Sequence, residues 1–392
     1  MSVIRPRPPT DPIHYLPPAA TVADDSTWRG MVAAAAGTRP AVLAATGDPA
    51  MAMLEPYGTT RSHACRRDSL LFGILEVARG MRESVDRVVV IGDAGDCAAV
   101  DLLLATCCHP FHGALPRADR GGRPRIVTLG PGDDDDTVQG VLDLLVATGS
   151  GDRLGDAWGV VLVGLMLTPS VRRCAELLVR GDWSHGGRAD RATRLAIAVG
   201  HPRFISPDPD ADWEMPAGDG RGDGSEGTPA SVSGVFSAAG LLPAAVAGID
   251  VVRLLEGAAA MHRRFREAPP DANPVLGCAS VGPWLRRCGA GIMPPLRRRL
   301  DPRGSRWGGL CRWYDHLMPP LTADAAGIVT TFTTAVRVAQ RRRSPFAGLA
   351  VTDRGGDRAA FDAIDMPRCD EHAIGQLLEL LRLAAEVERR LG

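Results

Sequence analysis

SAAGLLPAAVAGIDVVRLLEGAAAMHRR, residues 237–264, reads as two helices meeting at a tight corner. Ser237 is expected to cap the first helix, its hydroxyl accepting from a free N–H of the opening turn. Pro243 lies inside that helix, where it removes one hydrogen bond and bends the axis. Gly248 is expected to close it, because glycine adopts the left-handed conformation at little cost. Asp250 stands where a second helix needs its cap. Leu254, Leu255, Ala258 and Met261 then recur at helical spacing and predict a buried stripe.

The chain outside this stretch is too long for one small domain: 392 residues make two domains the default. Hydrophobic residues at 45% are enough for full cores. The net charge of −1 argues against a partner bound by neutralising phosphates, so no nucleic acid is expected. No apolar run approaches the ~20 residues of a membrane span, and the opening MSVIRPRPPTDP lacks the apolar core of a secretory signal. The nine cysteines are scattered, odd in number and without C-x-x-C, as expected of reduced thiols in a cytoplasmic protein. All 45 basic side chains are arginine; there is no lysine.

Taken in order, residues 1–25 read as a Pro-rich surface arm and 26–83 as mostly helical, with a capping residue and an amphipathic pattern in DSLLFGILEVARGM (68–81). RVVVIG (87–92) is a continuous β-branched run, the mark of a strand buried on both faces. It leads through the turn DAGDC (93–97) into the helix AAVDLLLATCC. A strand, a Gly-containing turn and a helix together offer free N–H groups to an anion. RIVTL (125–129), GVVLVGL (159–165) and LAIAVG (195–200) are further strands, with helices VQGVLDLLVA and SVRRCAELLVR between them. PGDDDD (131–136) reads as a solvated turn whose acids favour the helix start that follows. The alternation predicts a doubly wound parallel sheet. GIVTTFTT (327–334) and FAGLAVT (346–352) are expected strands of a second half, and residues 371–391 a strong amphipathic helix. The expected divisions are an N-terminal arm and helices (1–83), a first α/β domain (84–206), a Gly/Asp/Pro-rich loop (207–230) and a second α/β domain with a C-terminal helix (231–392).

Four segments carry a resemblance. GLLPAAVAGIDVVRLLEGAAAM, CCHPFHGALPRADRGGRPRI (107–126), RWYDHL (312–317) and DMPRCDEHAIGQLLELLRLAAEVERRLG (365–392) resemble, in this order, segments of the glucose-6-phosphate isomerase family. The resemblance implies an α/β fold of two SIS-type domains, each a parallel sheet flanked by helices, with sites at a dimer interface. It implies aldose–ketose isomerisation without a cofactor. That chemistry needs a base, a cation beside the enediolate, ring-opening acid/base groups, and hydroxyls and N–H groups for a phosphate. Carried across, these roles fall on residues that cannot fill them. The family arginine falls on Val232, or on Val235 if a gap is allowed. The glutamate falls on Pro320 and the histidine on Thr333. GLMLTP (164–169) stands over the phosphate loop, where Thr168 alone keeps a hydroxyl. Asp93 and Asp96 stand in the first-strand loop, and the segment of the family lysine lies beyond Gly392.

The substrate-binding candidates left are Gly92, Gly95, Thr168 and Ser170, with Arg341 to Arg343 as a further source of positive charge. His316 beside Asp315 is a candidate relocated acid/base pair or a helix-surface histidine. His109 and His112 follow Cys107 and Cys108, but C-C-H-P-F-H lacks tetrahedral ligand spacing, so no metal is expected. His372 is expected to serve packing. Three functions stay open: a catalytically degenerate member that binds a sugar phosphate, another small molecule or a protein; a working isomerase; and an assembly-only partner, as a homodimer or with an intact family member.

Overall fold

The computed structural model of the chain describes residues 12–17, 25–58, 69–130, 133–146, 157–163, 175, 178, 194–198, 203–205, 234–287, 299–300, 309–310, 313–314, 317, 329–334, 361–366 and 370–391. In chain order the elements begin with strand β1 (His14–Leu16) and helices α1 (Asp25–Thr46), α2 (Pro49–Gly58) and α3 (Leu70–Ser84). Strand β2 (Arg87–Ile91), helix α4 (Ala94–Cys107), strand β3 (Arg125–Leu129), helix α5 (Asp135–Val146) and strand β4 (Trp158–Val163) follow. Next come β5 (Arg194–Ala198), β6 (Arg203–Ile205), α6 (Ala238–Val246), α7 (Val251–Glu267) and α8 (Pro274–Arg287). The chain closes with β7 (Arg299–Leu300), β8 (Val329–Thr334), β9 (Phe361–Met366) and α9 (Glu371–Leu391).

These elements fall into two units that the chain enters more than once. One holds Met1–Asp48, Val252–Pro302 and Met318–Gly392; the other holds Pro49–Val251 and Arg303–Leu317. The stretch 237–264 therefore crosses from one unit to the other between Val251 and Val252. A division by sequence order places α6 with the second half; here it packs against β4, α3 and α4 of the first.

The first unit to close is built on a five-stranded sheet in the order β3-β2-β4-β5-β6. Its first four strands are parallel, in register through Val89↔Val127, Val89↔Val160 and Val160↔Leu195, and β6 returns antiparallel. Every residue of β2 and β4 is buried, as their unbroken apolar runs require. Val89, Ile91, Val160 and Leu162 share one core with Val141, Leu142 and Leu145 of α5. At the amino ends of the strands, Asp86 accepts from Arg117 (2.8 Å) and Arg120 (2.6 Å), which ties down the loop that precedes β3.

The other unit carries a four-stranded sheet in the order β1-β9-β8-β7, with β7, β8 and β9 parallel and β1 antiparallel on β9. Helices α1, α8 and α9 pack on one another. Helices α7 and α9 approach closely because a Cβ at Gly257 would overlap the His372 carbonyl, and one at Gly375 the Leu254 carbonyl. A buried polar chain runs along α9: His262 Nδ1 donates to Glu379 (2.8 Å), and Arg382 donates to the same carboxylate (2.7 Å).

Several expectations hold. Ser237 caps α6 by accepting from Ala239 N (3.2 Å), Gly248 has φ 82°, and Leu254, Leu255, Ala258 and Met261 are fully buried. The capping residue of α3 is Ser69, which accepts from Phe72 N (3.0 Å), its hydroxyl standing at the position whose backbone is extended. Others are corrected. DAGDC is not a separate turn: α4 begins at Ala94, directly after an extended Asp93. The arm before residue 25 holds β1, which is only a three-residue edge and has no periodicity of its own. β6 and β9 are strands that the alternation did not mark; the aspartates of FDAIDM break the apolar run of β9. FAGLAVT and the 207–230 loop lie outside the described residues.

Candidate ligand site at the carboxyl ends of the first sheet

In an open parallel sheet, ligands are held beyond the carboxyl ends of the strands. Here that edge is formed by Ile91-Gly92-Asp93, Leu129-Gly130 and Val163. Gly92 donates its N–H to the Leu129 carbonyl (3.2 Å). A side chain at Gly92 would overlap that of Val163 and stand 2.8 Å from its carbonyl oxygen. Gly92 is thus required for the close approach of β2 and β4. Gly95 lies in the first turn of α4. Gly130 donates to Asp133 Oδ2 (2.7 Å), which folds the acidic turn back over the end of β3.

The opening of α4 is acidic. Asp93 takes the N-cap position in extended conformation and its side chain makes no capping bond. Asp96 stands in the first turn, and its Oδ1 lies 3.1 Å from where a Cβ on Gly234 would be. Burial, reinforced by the charge of Asp93, pushes the Asp96 carboxyl up to about 6. Cys97 places its Sγ 3.5 Å from the Gly92 carbonyl and 3.4 Å from that of Leu129. Burial, with Asp101 and Asp96 adding to it, pushes this thiol up to about 12, so it is not poised as a nucleophile. The helix N-terminus, which by its dipole favours an anion, is surrounded by carboxylates instead.

The carried-over positions separate. Val235, in the 3-10 turn Gly234–Phe236, is fully buried. Gly234 and Val235 lie so close to Gly240 that a Cβ there would stand 2.9 Å from the Val235 carbonyl, so the turn is pressed onto the start of α6. Thr333 sits on β8 opposite Asp365 of β9, in the other unit. Thr168, Ser170, Asp315, His316, Val232, Pro320 and Arg341 to Arg343 lie outside the described residues.

His109, His112 and His372 have structural partners. His109 Nδ1 accepts from Phe111 N (3.1 Å), and His112 Nε2 donates to the Pro124 carbonyl (3.1 Å). Burial lowers the pKa of His112. His372 is buried on α9, where its Nδ1 accepts from Gln376 (3.1 Å); burial lowers its pKa as well. Among the described residues no three His, Cys, Asp or Glu side chains gather as a metal site, and no helix is long and apolar enough to cross a membrane. Sequence reading placed Asp93 and Asp96 in the anion-binding loop. It missed the burial of Asp96 under Gly234, since nothing local joins residues so far apart in the chain.

No family model matches the chain. Two curated relatives do. The glucose-6-phosphate isomerase of Symbiobacterium thermophilum is 29% identical over 231 residues, 55% of this chain and 45% of the relative. That of Rubrobacter xylanophilus is 30% identical over 209 residues, 52% of this chain and 44% of the relative. The matches thus span under half the length of these relatives. In fold the chain is similar to a hypothetical protein from Thermus thermophilus, with a TM-score of 0.50 and 14% identity over 97% of this chain and 94% of that one. It is equally similar to a glucose-6-phosphate isomerase from Chlamydia trachomatis, with a TM-score of 0.50 and 14% identity over 87% of this chain and 73% of that one. Over about half its length the chain is thus similar in sequence to members of the glucose-6-phosphate isomerase family, and its α/β fold is similar to that of a solved member.

Proposed function

We propose that the chain is a catalytically degenerate member of this family, a cytoplasmic protein that acts by binding a small molecule or a protein partner and not by isomerising sugar phosphates. The observation that carries this reading is the acidic opening of α4. Asp93 and Asp96 stand where a sugar phosphate would need N–H donors and positive charge, and Asp96 is already partly dehydrated there. A dianion placed beside them meets like-charge repulsion. The expected loss of the base at Pro320 and of the cation at Val232 or Val235 agrees with it. Removing one positioned general base typically costs ~10²–10⁴ in rate, and here the cation is replaced as well.

The test is a coupled assay of the purified protein with fructose 6-phosphate, run beside a calorimetric titration with glucose 6-phosphate. No turnover above background and no affinity tighter than ~1 mM are expected. Turnover within about two decades of an ordinary isomerase, abolished by His316→Ala, would overturn the reading and support an acid/base pair at Asp315 and His316.

A further inference from the structure

Arg264, Tyr15 and Trp28 line an open cleft of about 640 Å³ that lies wholly within the unit carrying α1, α7 and α8. The guanidinium of Arg264 is partly buried, and its Nη1 donates to the Ile13 carbonyl at 2.6 Å. That bond accounts for one of the five N–H donors a guanidinium carries. Among the described residues no carboxylate pairs with Arg264. Burial lowers its pKa, and no neighbouring charge offsets this. A cation that has lost part of its hydration without gaining an acid is poised to take an anion in its planar fork.

The aromatic walls are fixed before any ligand arrives. The Tyr15 ring lies on Gly277, where a Cβ would stand 2.9 Å from its Cδ1. Trp28 meets the buried Trp284 edge to face, with centroids 6.3 Å apart at 85°. Rings held in this way offer apolar surface at little cost in ordering. The other charges on the cleft wall set the charge of the ligand. Asp25 is bound to Arg29 at 2.7 Å, whereas Asp271 is exposed on the rim. A monoanion compensates Arg264 alone; a dianion would also face Asp271.

The geometry points to this cleft as a binding site for a small organic carboxylate, its carboxylate on Arg264 and its apolar body against Tyr15 and Trp28. This site shares no residue with the acidic opening of α4, so it stands or falls separately from the reading of that opening.

The experiment is a calorimetric titration of the full chain with phenylacetate, with inorganic phosphate and glucose 6-phosphate as competitors. Saturable one-to-one binding is expected for phenylacetate, weakened at least ~tenfold by Arg264→Met. Trp28→Ala, whose melting point shows whether the fold is kept, should weaken it as well; it keeps the test open should Arg264→Met fail to fold. Absence of saturation by ~10 mM, or unchanged affinity in folded variants, would overturn the proposal. So would displacement of phenylacetate by phosphate or glucose 6-phosphate at lower concentration, because the cleft would then select dianions.

Discussion

Asp96 holds a carboxylate where burial and Asp93 both oppose its charge, with its pKa pushed from 3.8 to about 6. A carboxyl whose folded pKa exceeds its unfolded value weakens the fold once it is ionised, and the penalty is complete above the folded pKa. Asp96→Asn is therefore expected to raise stability at pH 7 by about 1–2 kcal/mol, allowing for solvent screening of a group that is not fully enclosed. The gain should shrink as the pH falls through 6 and disappear below 3.8, where both states are protonated. Denaturant unfolding of both proteins across that range measures it; a gain independent of pH would mean that packing, not charge, sets the effect. Cys97 makes a second expectation at this scale. With its thiol pushed up to about 12, it should resist alkylation at pH 8 in the folded protein and react once the chain is unfolded. Peptide mapping after iodoacetamide treatment decides this.

The pairing of α7 and α9 shows what the elements contribute. Their stripes were legible as helical periodicity, and Leu254, Leu255, Ala258 and Met261 are indeed fully buried. Truncating Leu255 to Ala should cost about 2–5 kcal/mol. Melting unchanged by that substitution would contradict its burial. Gly375→Ala adds only a methyl, yet it would be driven into the Leu254 carbonyl, and about 3 kcal/mol of destabilisation is expected. Glu379 behaves differently. Burial alone would raise its pKa, but the charge of Arg382 and the hydrogen bonds from His262 and Arg382 hold it below the usual value. A depressed carboxyl pKa contributes stability that is complete above 4.5 and is lost as the pH falls through the lowered folded value. Glu379→Gln leaves Arg382 buried without its counter-charge, which should cost about 3–5 kcal/mol near neutral pH. The deficit should narrow in acid, and a thermal-unfolding series in pH reads it.

For the whole molecule the decisive expectation concerns the acidic opening of α4. If Asp93 and Asp96 are what turns phosphates away, the pair Asp93→Ser and Asp96→Ser should raise affinity for inorganic phosphate by about tenfold or less, since a helix terminus contributes on the order of 1 kcal/mol. On the proposed reading of a degenerate member, isomerisation should stay absent, because the double variant adds neither a base nor a cation. A calorimetric titration and the fructose 6-phosphate assay on the double variant separate the two effects. Phosphate affinity equal to that of the unaltered chain would show that the acids are not the obstacle.

What the sequence determined by itself was everything carried by local periodicity and capping. RVVVI and GVVLV could only be doubly buried strands, Ser237 and Gly248 mark the ends of α6, and residues 371–391 form one long helix. The family resemblance was also legible, because it rests on ordered strings of residues. Tertiary structure alone decided which segments share a unit: α6 joins the first sheet, whereas α7, only a few residues later, belongs with the second. It decided too that HYL becomes a strand, since a three-residue edge exists only when β9 offers it a partner. The burial of Asp96 beside Gly234 and the placing of Arg264 with Tyr15 in one cleft were likewise closed to sequence reading. The physical reason is the same in each case: hydrophobic spacing reports which face of an element is buried, and is silent about what lies across from it.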